Sequence, residues 1–164
     1  ELAATAKARG SSVLEYLDGL YLEVGHFGER LINKTLEGRE GAGQIKKLMA
    51  AFRDAPPREI AGLAVTEVRD YKLHRTLDVR TGTVTDLPQP SGDLLIFHLD
   101  AEGTRFAARP SGTEPKIKFY LFARTDTSDL ADSGRLAERK KATSERLDRM
   151  TADIEAYIAQ VLAN

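Results

Sequence analysis

Two hydrophobic periodicities alternate along the chain, and they predict different elements. At steps of three and four, Val13, Leu14, Leu17, Leu20, Tyr21 and Val24 trace one face of a helix that needs a partner surface. Strong helix formers from Glu1 to Arg9 predict a helix before it, broken at Gly10, with Ser11 and Ser12 available as caps. Gly25-His26-Phe27-Gly28 ends the second helix and marks a boundary, so residues 1–27 read separately from residues 28–164. A third helix, Gln44 to Arg53, buries Ile45, Leu48, Met49 and Phe52 and is stopped by Pro56-Pro57. The last carries Leu147, Met150, Ile154, Tyr157, Ile158, Val161 and Leu162, a stripe that predicts a helix lying on a sheet.

Period-two segments supply that sheet. Leu31 to Leu36 reads as a short strand, Ile60 to Tyr71 as a longer one, and Asp93 to Leu99 as the most apolar. Asp100-Ala101-Glu102-Gly103 is a hairpin turn into Thr104 to Arg109, and from Lys116 to Arg124 the apolar Ile117, Phe119 and Leu121 alternate with Lys118, Tyr120 and Phe122. Residues 75–92, with two prolines and many Thr and Asp, read as an irregular connection with at most a short strand near Thr81 to Thr85. Residues 126–142 read as a solvated connection or the exposed start of the last helix. Strands that follow one another through hairpins predict an α+β fold, an antiparallel sheet of about four strands with helices on one face.

Composition narrows the function classes. At 164 residues and 41% hydrophobic, the chain has material for one core plus an appendage. A net charge of −1, with Lys and Arg scattered, argues against nucleic acid or an anionic membrane as partner. The absence of cysteine excludes disulfides, thiolate zinc and thiol nucleophiles, and together with the lack of a membrane-length apolar run predicts a soluble cytoplasmic protein. The chain opens at Glu1 inside helix-forming sequence, which points to a piece of something longer. The glycines at 38, 41 and 43 fit neither the dinucleotide nor the Walker spacing and read as a turn. Asp126, Asp129 and Asp132 lack the glycine and closing Glu of a calcium loop, and the three histidines are too far apart in sequence to support a metal site. His98, between Phe97 and Leu99, reads as a satisfied, partly buried histidine. No catalytic residue and no metal ligand can be named.

One stretch remains. Arg109-Pro110-Ser111-Gly112-Thr113-Glu114-Pro115-Lys116 joins two strands and concentrates groups that suit a phosphate. Arg109 offers a planar fork of donors, Ser111 and Thr113 offer hydroxyls, and Gly112 lets successive N–H groups turn to a common point. The prolines restrict the loop before binding. Glu114 is discordant beside a dianion and is expected to point away. The same residues also read as a rigid hairpin loop of turn formers with solubilising charges.

This stretch and its continuation Ile117-Lys118-Phe119-Tyr120 resemble the phosphate-binding signature of the C-terminal domain in the α-D-phosphohexomutases, the phosphoglucomutase and phosphomannomutase superfamily. The bacterial branch similar to the phosphopentomutases matches best. The likeness extends over Leu14 to Phe27, Leu36-Glu37-Gly38, Pro56 to Tyr71 and the last helix. It implies a TATA-binding-protein-like C-terminal domain of a four-domain enzyme. That enzyme moves a phosphoryl group between sugar 1- and 6-phosphate positions through a phosphoserine, with Mg2+. Residues 1–27 would be closing helices of the third domain, and residues 28–164 the fourth. Arg109, Ser111, Gly112 and Thr113, with Lys116 as a weaker member, would contact substrate phosphate. The phosphoserine loop, the metal loop and the sugar-reading loop have no counterpart in this sequence, so the chain alone is expected not to turn over. Its partners would be a phosphosugar and the remaining domains. The alternative of another class is a stand-alone α+β module that binds a protein or other ligand.

Overall fold

The computed structural model describes residues 1–38, 40–88, 90–130 and 133–163. Helices α1 (Leu2–Ala8) and α2 (Val13–Val24) lead into β1 (His26–Thr35) and α3 (Gly41–Asp54). Strands β2 (Glu59–Ile60), β3 (Leu63–Asp70), β4 (Arg75–Asp78), β5 (Val84–Asp86), β6 (Leu95–Leu99), β7 (Arg105–Pro110) and β8 (Lys116–Thr125) follow. A short 3-10 turn at Ser133–Arg135 then opens into α4 (Leu136–Ala163).

The α+β class is as the periodicity predicts, but the sheet is larger than about four strands. Its order is β1-β8-β7-β6-β3-β4-β5, with β2 paired to β3, and every pairing is antiparallel. Two of the added strands lie in the stretch expected to be irregular. β4 has no fully buried residue and β5 is exposed throughout, so neither carries the alternation that reveals a half-buried strand. They are held by register, Thr76 opposite Thr85 and Leu77 opposite Val84, and by the Asp78 carboxylate accepting from the N–H groups of Arg80 and Thr81 at 2.9 Å each. β1 is also longer than expected. His26 and Phe27 already pair with Thr125 and Arg124, so the division after residue 27 falls inside a strand.

β8 shows how the layers form. Ile117, Phe119, Leu121 and Ala123 are completely buried beneath α3 and α4, whereas Lys116, Lys118, Tyr120, Phe122 and Arg124 face the other, partly open side. Phe52 of α3 is the centre of the core, with ring centroids 5.8 Å from Phe97, 5.5 Å from Phe119 and 4.5 Å from Tyr157. Truncating such a ring costs about 3–5 kcal/mol. In α4 the expected stripe packs: Leu147, Met150, Ile154 and Ile158 are buried. α2 differs. Its Ser12–Glu15 capping box forms as a helix start should, yet none of its residues is buried, and Leu14 is 73% exposed.

His98 departs from expectation. It lies on the open face of the sheet, and its buried Nε2 has no hydrogen-bond partner among the described residues, with Glu67 Oε1 3.7 Å away. Burial first, then the charges of Arg69 and Arg105 against that of Glu67, lowers its pKa and keeps the ring neutral.

Candidate functional site

The loop between β7 and β8 is built on a fixed base. Pro110 ends β7 opposite Ile117, and the Ser111 N–H donates to the Lys116 carbonyl at 2.8 Å, closing the loop across its neck. The Lys116 N–H donates to the Glu114 carbonyl at 2.7 Å, and the Pro115 carbonyl accepts from the Leu36 N–H at 2.9 Å. Gly41 fixes the start of α3 against the same corner: a Cβ there would lie 1.7 Å from the Leu36 carbonyl oxygen and 3.4 Å from Pro115. Only glycine permits that approach.

The tip above this base is unsatisfied. The N–H groups of Gly112, Thr113 and Glu114 have no acceptor among the described residues, and neither do the hydroxyls of Ser111 and Thr113. The Arg109 guanidinium is exposed and makes no ion pair or hydrogen bond there. Donors left without acceptors on one short loop are groups that an anion can complete.

The structure sorts the expected residues. Arg109, Ser111 and Gly112 line one hollow of about 180 Å³, together with Lys118 and Tyr120. Thr113 lies on the other flank, facing α3 across a larger hollow. Lys116 is turned to Glu114, its Nζ 3.4 Å from Oε2, which also accounts for the discordant carboxylate: it leans to a neighbouring cation. Sequence reasoning missed Lys118 and Tyr120. Lys118 sits directly opposite Arg109, and Tyr120 opposite Ala107, on the open face. The period-two alternation of β8 had placed both on that face, but only the strand register puts Lys118 beside Arg109.

A second set of charges lies beyond α3. The Arg53 guanidinium donates to Asp70 Oδ2 at 2.8 Å, Asp93 Oδ1 at 2.9 Å and the Met49 carbonyl at 3.3 Å. Burial works against its charge, but the bonds and charges of Asp70 and Asp93 outweigh that and raise its pKa. Asp70, 2% exposed, also accepts from the N–H groups of Lys72 and Leu73, fixing the turn after β3. The described part of the acidic stretch 126–132 is likewise engaged locally, Asp126 with Ser128 and Asp129 with Arg139; Asp132 lies outside the described residues.

Fold and site thus define an α+β domain whose central hairpin carries a pre-shaped loop of free donors. Residues 31–133 match the family described as "Phosphoglucomutase/phosphomannomutase, C-terminal domain", and the chain belongs to that family. It is 34% identical over 128 residues to a phosphoglucomutase of Staphylococcus epidermidis, covering 78% of this chain and 23% of the relative. Against a phosphoglucomutase of Staphylococcus aureus it is 37% identical over 119 residues, covering 73% and 21%. The chain therefore spans less than a quarter of the length of these curated relatives. Among solved structures it is similar to the pp63/parafusin phosphoglucomutase of Paramecium in its open form, with a TM-score of 0.43 and 17% identity over 92% of this chain and 23% of that one.

Proposed function

We propose that this chain is the substrate-phosphate grip of a longer phosphoglucomutase or phosphomannomutase. That enzyme interconverts sugar 1-phosphates and 6-phosphates in the cytoplasm. The observation that carries the reading is the set of free donors at residues 109–114, presented by a chain of this family. Arg109, Ser111 and Gly112, with Lys118 beside them, hold the phosphate that is not being transferred. Thr113 bounds the site from the α3 side, and Lys116 contributes charge at longer range. Each charge-assisted bond of this kind contributes roughly 1.5–3 kcal/mol, so a few suffice to orient a phosphoryl group.

Orientation is the chain's share of the reaction. Phosphoryl transfer needs a nucleophile, and in this family a divalent ion that neutralises developing charge. Among the described residues no three His, Cys, Asp or Glu side chains come together, and we place Mg2+ on residues of the longer enzyme. The chain alone then binds without turnover. The unburied apolar face of α2, with Leu14, Leu17 and Val24, fits packing against the preceding domain, with the boundary ahead of β1 rather than after residue 27.

The test is kinetic, in the longer protein that carries this chain. Arg109→Ala raises KM and lowers kcat together, because grip and closure are lost at once. Unchanged constants with glucose and mannose phosphates would refute the assignment.

A further inference from the structure

The hollow lined by Arg109, Ser111, Gly112 and Lys118 measures about 180 Å³, below the ~300–1,000 Å³ of sites that enclose a whole small molecule. It suits a phosphoryl group, and the body attached to that group must lie on what borders it. On the sheet side the border is Tyr120. The same side chain walls a neighbouring hollow of about 140 Å³, shared with Glu29, Leu31 and Phe122. Tyr120 therefore stands between two hollows on one face of the sheet.

Strand register orders the groups along that face. Alternate residues of a strand lie about 7 Å apart, so Lys118, Tyr120 and Phe122 lead away from the loop in steps of that size. β1 runs beside them, with Asn33 opposite Lys118, Leu31 opposite Tyr120 and Glu29 opposite Phe122. The face is cationic at the loop, apolar in the middle and acidic at the far end. Its aromatic rings are not equally available. The Arg124 guanidinium lies 5.8 Å from the centre of the Phe27 ring, and that of Arg105 lies 4.7 Å from Phe122. Tyr120 has no cation or ring partner among the described residues, and its hydroxyl has no hydrogen bond there. Leu31 is 47% exposed, and the exposed Glu29 carboxylate makes no hydrogen bond or ion pair among the described residues.

We propose that the sugar of the bound phosphate ester lies along this face, its ring against Tyr120 and Leu31 and one hydroxyl donating to Glu29. This assignment rests on the phosphate reading of residues 109–114. Charge fixes the direction of the ligand: a dianion is drawn to Arg109 and Lys118 and repelled by Glu29. A pyranose has the complementary body, with C–H groups for an aromatic face and hydroxyls for a carboxylate and a phenol. Tyr120 and Glu29 are then specificity-determining residues, which inorganic phosphate does not need.

Glucose 6-phosphate and inorganic phosphate are the probes, each titrated into the chain and followed by NMR. Both should shift the N–H signals of Gly112 and Thr113. The ester alone should also shift the Tyr120 ring and the Leu31 methyl groups, and should bind at least about threefold more tightly than inorganic phosphate. Tyr120→Ala and Glu29→Ala should each lower affinity for the ester at least about threefold. Glu29→Ala, at an exposed position of β1 away from the loop, should hold affinity for inorganic phosphate within about twofold. Equal responses of the loop to both probes, with Tyr120 and Leu31 silent, would overturn the proposal and leave the phosphate grip standing. Ester shifts that continue onto Ile45 and Met49 of α3 would overturn it as well. Silence at residues 109–114 with either probe would overturn the phosphate reading itself, and this assignment with it.

Discussion

Arg53 and Arg109 flank the 110–115 loop, and the fold treats them in opposite ways. Arg53 is largely buried, and its donors are taken up by Asp70, Asp93 and a backbone carbonyl. Arg109 stands exposed at the end of β7, beside hydroxyls and N–H groups that are equally unclaimed. An arginine whose donors are filled from within belongs to the architecture. One presented empty, among other empty donors on a rigid base, is available for the recognition proposed above.

The largest effect should come from breaking the filled site. Asp70→Ala takes one carboxylate from a largely buried guanidinium and removes two bonds that shape the turn after β3. About 3 kcal/mol of stability should be lost, read as a fall in the urea midpoint. A midpoint equal to wild type would place Arg53 on the surface side of the contrast. Arg109→Ala should do the reverse. Stability should stay within about 0.5 kcal/mol, while phosphate affinity measured by titration falls at least about tenfold.

Gly112→Ala sharpens the same contrast at lower amplitude. Gly112 lies outside the left-handed region, and a Cβ there meets nothing within 4 Å, so the loop itself should tolerate the change. A ligand pressed against the backbone would not, and phosphate affinity should drop about threefold with no change in thermal midpoint. Lys116→Ala should do less, under about twofold, because that ammonium is already turned to Glu114.

Acidity acts elsewhere. Burial first, then Lys140 against Asp18, lowers the pKa of His26; burial, with Arg69 and Arg105 against Glu67, lowers that of His98. Both rings are neutral in the fold and take up protons more readily when unfolded. Their contribution is therefore intact above about pH 6.5 and is lost as the pH falls below it. His98→Gln should flatten the acid side of a stability profile, whereas Arg109→Ala should leave its shape unchanged.

The contrast also separates what could be read from the sequence. The loop was legible because its groups lie within eight consecutive residues, and the strands that flank it alternate strongly. The buried face of α4 was legible for the same reason. The Arg53 cluster was not: its carboxylates lie 17 and 40 residues away, brought together only when α3 packs on the sheet. β4 was hidden, and β5 was legible only as a short strand near Thr81 to Thr85, because strands without a buried face leave no periodicity to find. α2 shows the converse. Its periodicity correctly gave a helix, but it could not show that none of its residues would be fully buried among the described residues.

The empty donors at residues 109–114 are the proposed phosphate site. Amide NMR of the chain during titration with inorganic phosphate tests it most directly. Saturable shifts should appear first at the N–H groups of Gly112, Thr113 and Glu114 and at the Arg109 side chain, and should vanish in Arg109→Ala. Shifts centred on α3 or α2, or a loop response that survives Arg109→Ala undiminished, would contradict it.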